Sequence, residues 1–231
     1  MIQLKSEEKM LQAIFYKEWI KLRWYFLLAV LVTSGVAGYC LLRMDRAIEL
    51  KGAAHIWEVM VLKDAVFIDY MQFVPLLAGI LAALMQFMPE MQRKCLKLTL
   101  HLPCPQQRMV FSMLASGVVL LAGCFAVNIG VMLAYLPTVL PAELTRNILS
   151  AAAPWYLAGF AGYLLTAWVC LEPTWKLRVC NLLIGALVVR AYYLAPVPQA
   201  YNGFLPWLAL YTFALSLLAW ISVSRFKAGK Q

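Results

Sequence analysis

The chain has 231 residues, of which 64% are hydrophobic and only 13% charged, whereas an ordinary soluble domain is ~45–50% apolar. This composition excludes a water-soluble globular protein, and the missing ten-residue alternation argues against a β-barrel, which leaves an integral membrane helix bundle. The formal net charge is +9, but the Lys and Arg residues sit in short segments between apolar runs, where they set orientation rather than bind nucleic acid.

Residues 1–24 precede any spanning run and mix Glu7, Glu8 and Glu18 with Lys5, Lys9, Lys17, Lys21 and Arg23. A signal peptide has a short basic start and then an apolar core, so this mixed prelude is not read as one. Leu11, Phe15, Trp19 and Leu22 share one helical face, with Lys17 and Lys21 on another. The pattern predicts an amphipathic helix lying in the membrane interface before the chain turns in, with a solvated tail of chance periodicity as the bland alternative.

Six apolar runs follow, over about 25–42, 66–88, 109–135, 154–171, 179–195 and 204–223. Between the first two, 43–64 is a mixed-charge loop with helical character. Residues 136–153, 172–178 and 196–203 read as the later connections. Fourteen of the 20 Lys and Arg residues fall on the side that holds both termini, which the positive-inside rule makes cytoplasmic. Trp24, Trp155, Trp175 and Trp207 fall at span ends, as interfacial aromatics do.

The segment between the second and third spans organises the chain. Pro89 and Glu90 are expected to end the preceding helix, because proline lacks an amide and a carboxylate is costly in hydrocarbon. Beyond them Arg93, Lys97 and His101 recur at four-residue spacing with Lys94 beside them, while Met91, Cys95, Leu98 and Leu102 form an apolar ridge. Residues 96–102 also alternate with the period of a strand, but no partner strand exists, so a short amphipathic helix is the favoured reading. Pro103 and Pro105 stop it.

The chain has no GxxxxGK[ST], HExxH or GxSxG motif, and only two histidines, His55 and His101. It therefore carries no P-loop and no recognisable hydrolase constellation, and it is not read as an enzyme. The six cysteines show no CxxC spacing and are read as reduced structural thiols; Cys95, His101 and Cys104 make a weak metal set. Gln72, Gln86, Asn128 and Asn181 inside the spans are expected to hydrogen-bond between helices. Asp69 and Arg190 lie at similar shallow depth near the outer ends of spans two and five. They are either a candidate gate pair or two side chains snorkelling separately to the headgroups.

The chain resembles the permease subunits of ABC transporters, of the ABC-2 type. The likeness rests on the amino-terminal segment with Phe15, Tyr16, Lys17, Glu18 and Trp19, on six spans with both ends inside, and on Glu90, Arg93, Lys94, Leu96, Leu98, Leu100, Leu102, Pro103 and Arg108. It departs from the family pattern where Lys94 and Cys95 replace a Gly-Thr pair, and in a short turn between spans five and six.

The resemblance implies a cytoplasmic coupling helix between spans two and three, with Glu90, Met91, Arg93, Lys94, Lys97, Leu98, His101 and Leu102 as the partner-coupling residues. They would meet a separate ATP-binding subunit that holds the ATP and Mg, this chain binding no cofactor itself. It further implies a second permease copy or homologue as partner, a place in the cell (inner) membrane, and export of a substrate. The alternative is a non-transporting membrane anchor or accessory subunit of a larger complex.

Overall fold

The computed structural model describes residues 2–62, 66–92, 105–195 and 199–227. Among them every regular element is helical and no strand occurs. Helix α1 runs from Ile2 to Lys51 without a break, about 75 Å at 1.5 Å per residue. The stretch expected as a separate interfacial helix over 1–24 is thus continuous with the first span. No Pro or Gly occurs before Gly35, so nothing lets the chain turn at Trp24. Gly52 stops α1 with a φ of +82°, a conformation glycine adopts without steric cost, and its amide bonds back to the Ile48 carbonyl.

A short α2, Ala53–Leu62, and a 3-10 turn, Asp69–Met71, lead to α3, Val74–Gln92. Then come α4, Gln106–Val139, and α5, Ala142–Leu171, so most of the connection expected over 136–153 is helical and the true link is Leu140 and Pro141. Helix α6, Trp175–Arg190, continues into a 3-10 turn, Ala191–Tyr193; α7, Leu205–Ala214, and α8, Ser216–Lys227, are two halves of one rod offset at Leu215. Among the described residues five stretches are long and apolar enough to cross a membrane: Gln12–Lys51, Asp69–Gln92, Gln106–Val139, Ala142–Leu171 and Leu205–Arg225. Helix α6 has 16 residues and falls short of them in length.

Helix α5 is the most enclosed of the five and touches α3, α4, α6, α7 and α8. Its closest neighbour is α3. A Cβ added to Gly79 would collide with the Gly159 carbonyl oxygen, and one on Gly159 would lie 2.7 Å from the Pro75 carbonyl oxygen, so only glycine lets these backbones touch. Pro75 meets Gly159 while Phe87 meets Tyr163, which makes α3 and α5 run in the same direction. Helices α1 and α4 also run parallel, with Leu22 near Gly117 and Thr33 bonded to Asn128.

The polar side chains inside the bundle join helices, as expected of Gln86 and Asn128. Gln86 Nε2 donates to the Met113 carbonyl at 2.8 Å and to Ser116 Oγ at 3.3 Å, while Tyr163 donates to Gln86 Oε1 at 2.7 Å, tying α3, α4 and α5 together. Asn128 Nδ2 donates to the Thr33 carbonyl at 2.9 Å and Asn128 Oδ1 accepts from the Tyr156 hydroxyl, tying α1, α4 and α5. Both amides are fully buried, and in a dry interior such bonds fix helix register because the unbonded alternative is costly. Asn181 differs: its Nδ2 is buried without a partner among the described residues. Cys40, Cys124, Cys170 and Cys180 are free thiols.

Candidate functional site

Helix α3 does not end at Pro89. It continues through Pro89 and Glu90 to Gln92, and Glu90 is turned inward and buried rather than carried out of the bilayer. The reason lies on α1. Lys17 and Lys21, four residues apart and so on one helical face, each place Nζ 2.7 Å from Glu90 Oε1. Lys21 also donates to the Gln86 carbonyl at 3.3 Å and to Glu18 Oε2 at 3.2 Å, and Lys17 lies 3.6 Å from Glu18. Glu18 is buried as completely as Glu90.

Among the described residues, two ammonium groups therefore face two carboxylates, with equal and opposite formal charge. Neutrality and short contacts are what allow buried charges to remain ionised, since an isolated one would be prohibitive. Glu90 Oε2 is buried and has no hydrogen-bond partner among the described residues. Above the cluster the Tyr25 hydroxyl donates to the Ala78 carbonyl at 2.5 Å, a second stitch between α1 and α3.

A second buried carboxylate sits at the same end of the bundle. Glu172, just past the end of α5, accepts from the Ser222 hydroxyl on α8 at 2.5 Å, and Arg225 approaches it at 3.7 Å. Its own carbonyl accepts from Arg178 Nε at 2.6 Å, which closes the tight connection to α6.

Of the residues singled out for coupling, Glu90 and Met91 are placed: Glu90 in the cluster and Met91 half-buried against the core. Arg93, Lys94, Lys97, Leu98, His101 and Leu102 lie outside the described residues, as do Cys95 and Cys104. Asp69 and Arg190 share one end of the bundle, because Tyr193 donates to the Gln72 carbonyl at 3.1 Å and stacks near Phe73. No ion pair joins them. Asp69 lies in the field of Arg43, whose guanidinium sits 5.0 Å from the Tyr70 ring centre, and Arg190 is exposed.

The sequence pattern places Lys17 and Lys21 on the polar face of an interfacial helix, names Glu18 only in the mixed-charge amino-terminal segment, and assigns no ion-pair role to Glu18, Glu172 or Ser222. A signal was present for the first two. Paired lysines four apart on a helix that continues into a span need a counter-charge, and Glu90 is the acid nearest the matching end of span two. The arrangement is a clamp that joins α1 to the last described turn of α3. No protein-family model, no curated protein and no solved structure matches the chain.

Proposed function

We propose that the chain is the membrane-spanning permease subunit of an ABC transporter of the ABC-2 type, working in the cell (inner) membrane beside a second copy or a homologue. The observation that carries this reading is the Lys17, Lys21 and Glu90 clamp, which makes the last turn of α3 and the cytoplasmic part of α1 one mechanical unit. A push delivered to the segment after Gln92 then moves α1 and α3 together. Helix α1 lies along α4, and α3 lies on α5, so the displacement spreads through the bundle.

In this reading six spans cross the membrane with both termini cytoplasmic. Helix α6 and its 3-10 extension supply the fifth. Their 16 and three residues cover about 28 Å, near the ~30 Å of hydrocarbon. The outward face of α6, with Leu183 and Leu187 exposed, suits contact with lipid. The chain carries no P-loop, so ATP and Mg belong to a separate ATP-binding subunit that docks on residues 93–102. Its closure on nucleotide drives export, and hydrolysis resets the pair.

Reporter fusions after Lys97, after Lys176 and at the C-terminus should read cytoplasmic, and fusions near Lys51 and Thr138 external. A cytoplasmic reading at Lys51 removes the six-span topology. Purification of the tagged chain from its native membrane should bring down a P-loop ATPase whose hydrolysis rises in the complex. Recovery of a complex with no nucleotide-hydrolysing member makes the chain an anchor instead.

A further inference from the structure

Helix α6 rests on α5 and leaves a gap towards α3. The gap is an apolar slot of about 440 Å³, open along one side, between Leu76, Ile80 and Leu84 of α3 and Leu182 and Gly185 of α6, with Gly162 of α5 in its floor. Its volume falls in the ~300–1,000 Å³ range of small-molecule sites. In a bundle where α3 and α5 touch backbone to backbone, a slot of this size between α3 and α6 is a missing layer of side chains. Hydrocarbon leaves no such space empty, because its walls lose their dispersion contacts.

What fills it is indicated by the charge at its end. Leu182, Ala186 and Arg190 follow one another at four-residue spacing, so Arg190 continues the ridge of α6 that lines the slot. The contacts of Tyr193 with Gln72 and Phe73 place that end of α6 beside the start of α3, where Leu76 begins the slot. Arg190 is exposed and makes no ion pair among the described residues. A slot lined by hydrocarbon side chains along its length, with one unpaired guanidinium at the membrane-surface end, has the amphipathic pattern of a single lipid.

We propose that the slot holds an acyl chain of one phospholipid, whose phosphate is bound by Arg190. The guanidinium fork matches a phosphate, and the acyl chain supplies the packing that α3 and α6 lack. The inference needs only that α3 and α5 span the membrane, and it stands whether or not the chain transports anything.

The test is photolabelling of the full chain in vesicles of phosphatidylethanolamine and phosphatidylglycerol containing a phosphatidylglycerol with a diazirine in its acyl chain. Labelled peptides from 76–84 and 182–189 should exceed those from the exposed apolar face of α1 around Leu27, Leu28 and Leu31. A Cβ at Gly185 makes only ordinary contact, 3.7 Å from Leu165, so Gly185→Phe can fill the slot and should abolish the excess while labelling of α1 stays. Ala186→Phe serves as the second filling variant, and size-exclusion chromatography with circular dichroism checks that both are folded. Arg190→Gln should lower slot labelling about two- to five-fold, the scale of an exposed ion pair. Even labelling of all apolar faces, or slot labelling indifferent to both filling variants, overturns the proposal. So does an absence of slot labelling together with a cross-link between two chains through Leu182→Cys, which gives the slot to a second copy.

Discussion

Glu90 and Glu172 occupy matching places. Each lies at the C-terminal end of one of the parallel helices α3 and α5, each is buried, with exposures of 3% and 0%, and each keeps one oxygen without a partner among the described residues. Their compensation differs. Glu90 receives two ammonium groups at 2.7 Å from α1, whereas Glu172 has a serine hydroxyl from α8 and an arginine no nearer than 3.7 Å. Charge compensation of that strength is costly in side-chain entropy and forms only where geometry is fixed by packing. The α1–α3 junction is therefore the stiff corner of this end of the bundle, and the α5–α8 junction the softer one. The stiff corner includes the last described turn of α3.

The comparison can be broken most severely from the lysine side. Lys17→Met with Lys21→Met strands Glu18 and Glu90 as buried carboxylates without cations, and breaking a buried pair from one side costs roughly 3–5 kcal/mol. Thermal unfolding in detergent should show a large loss, and a melting curve unchanged from wild type would mean that the ammonium groups do not hold the junction. Glu90→Gln keeps an acceptor but removes the charge, so about 1.5–3 kcal/mol should go, the range for hydrogen bonds to charged groups. The lysines are partly exposed and retain Glu18, which caps the effect.

On the softer side, Ser222→Ala leaves Glu172 short of its one close donor, and about 1–2 kcal/mol should be lost in the same assay. An effect as large as that of the double lysine variant would erase the distinction between the two corners. Arg225→Gln should change stability least, by about 0–1 kcal/mol, because the guanidinium is largely exposed and 3.7 Å from its partner. Measured in 50 mM and 500 mM salt, its small effect should shrink further, while that of Glu90→Gln should hold, since buried pairs are screened much less.

Composition and run length were enough to read an all-helical chain and to place the helices that carry the first four apolar runs and the last. They could not show that α1 continues unbroken, because the amphipathic pattern of 1–24 is equally that of an interfacial helix and of a span's extension packed on a neighbour. Pro89 and Glu90 carried a true signal with the wrong consequence. A carboxylate near a span end predicts exit from hydrocarbon unless a cation meets it, and the cations lie 69 and 73 positions away in the chain. Glu172 was hidden the same way, its partners being 50 residues downstream or more. The hydrogen bonds of Gln86 and Asn128 were legible as a class, because an amide inside a span has few other fates, but not their particular partners.

The proposed docking of the segment after the clamp on an ATP-hydrolysing subunit can be checked by comparing wild type with Leu98→Asp, both purified from native membranes and assayed for bound ATPase activity. Leu98 is expected on the apolar ridge of 91–102 and is none of Lys17, Glu18, Lys21 and Glu90, so the variant should insert and melt as wild type does. The account predicts that wild type retains a P-loop ATPase and stimulates its hydrolysis, and that Leu98→Asp loses both. Equal recovery and equal stimulation by the two proteins would contradict it.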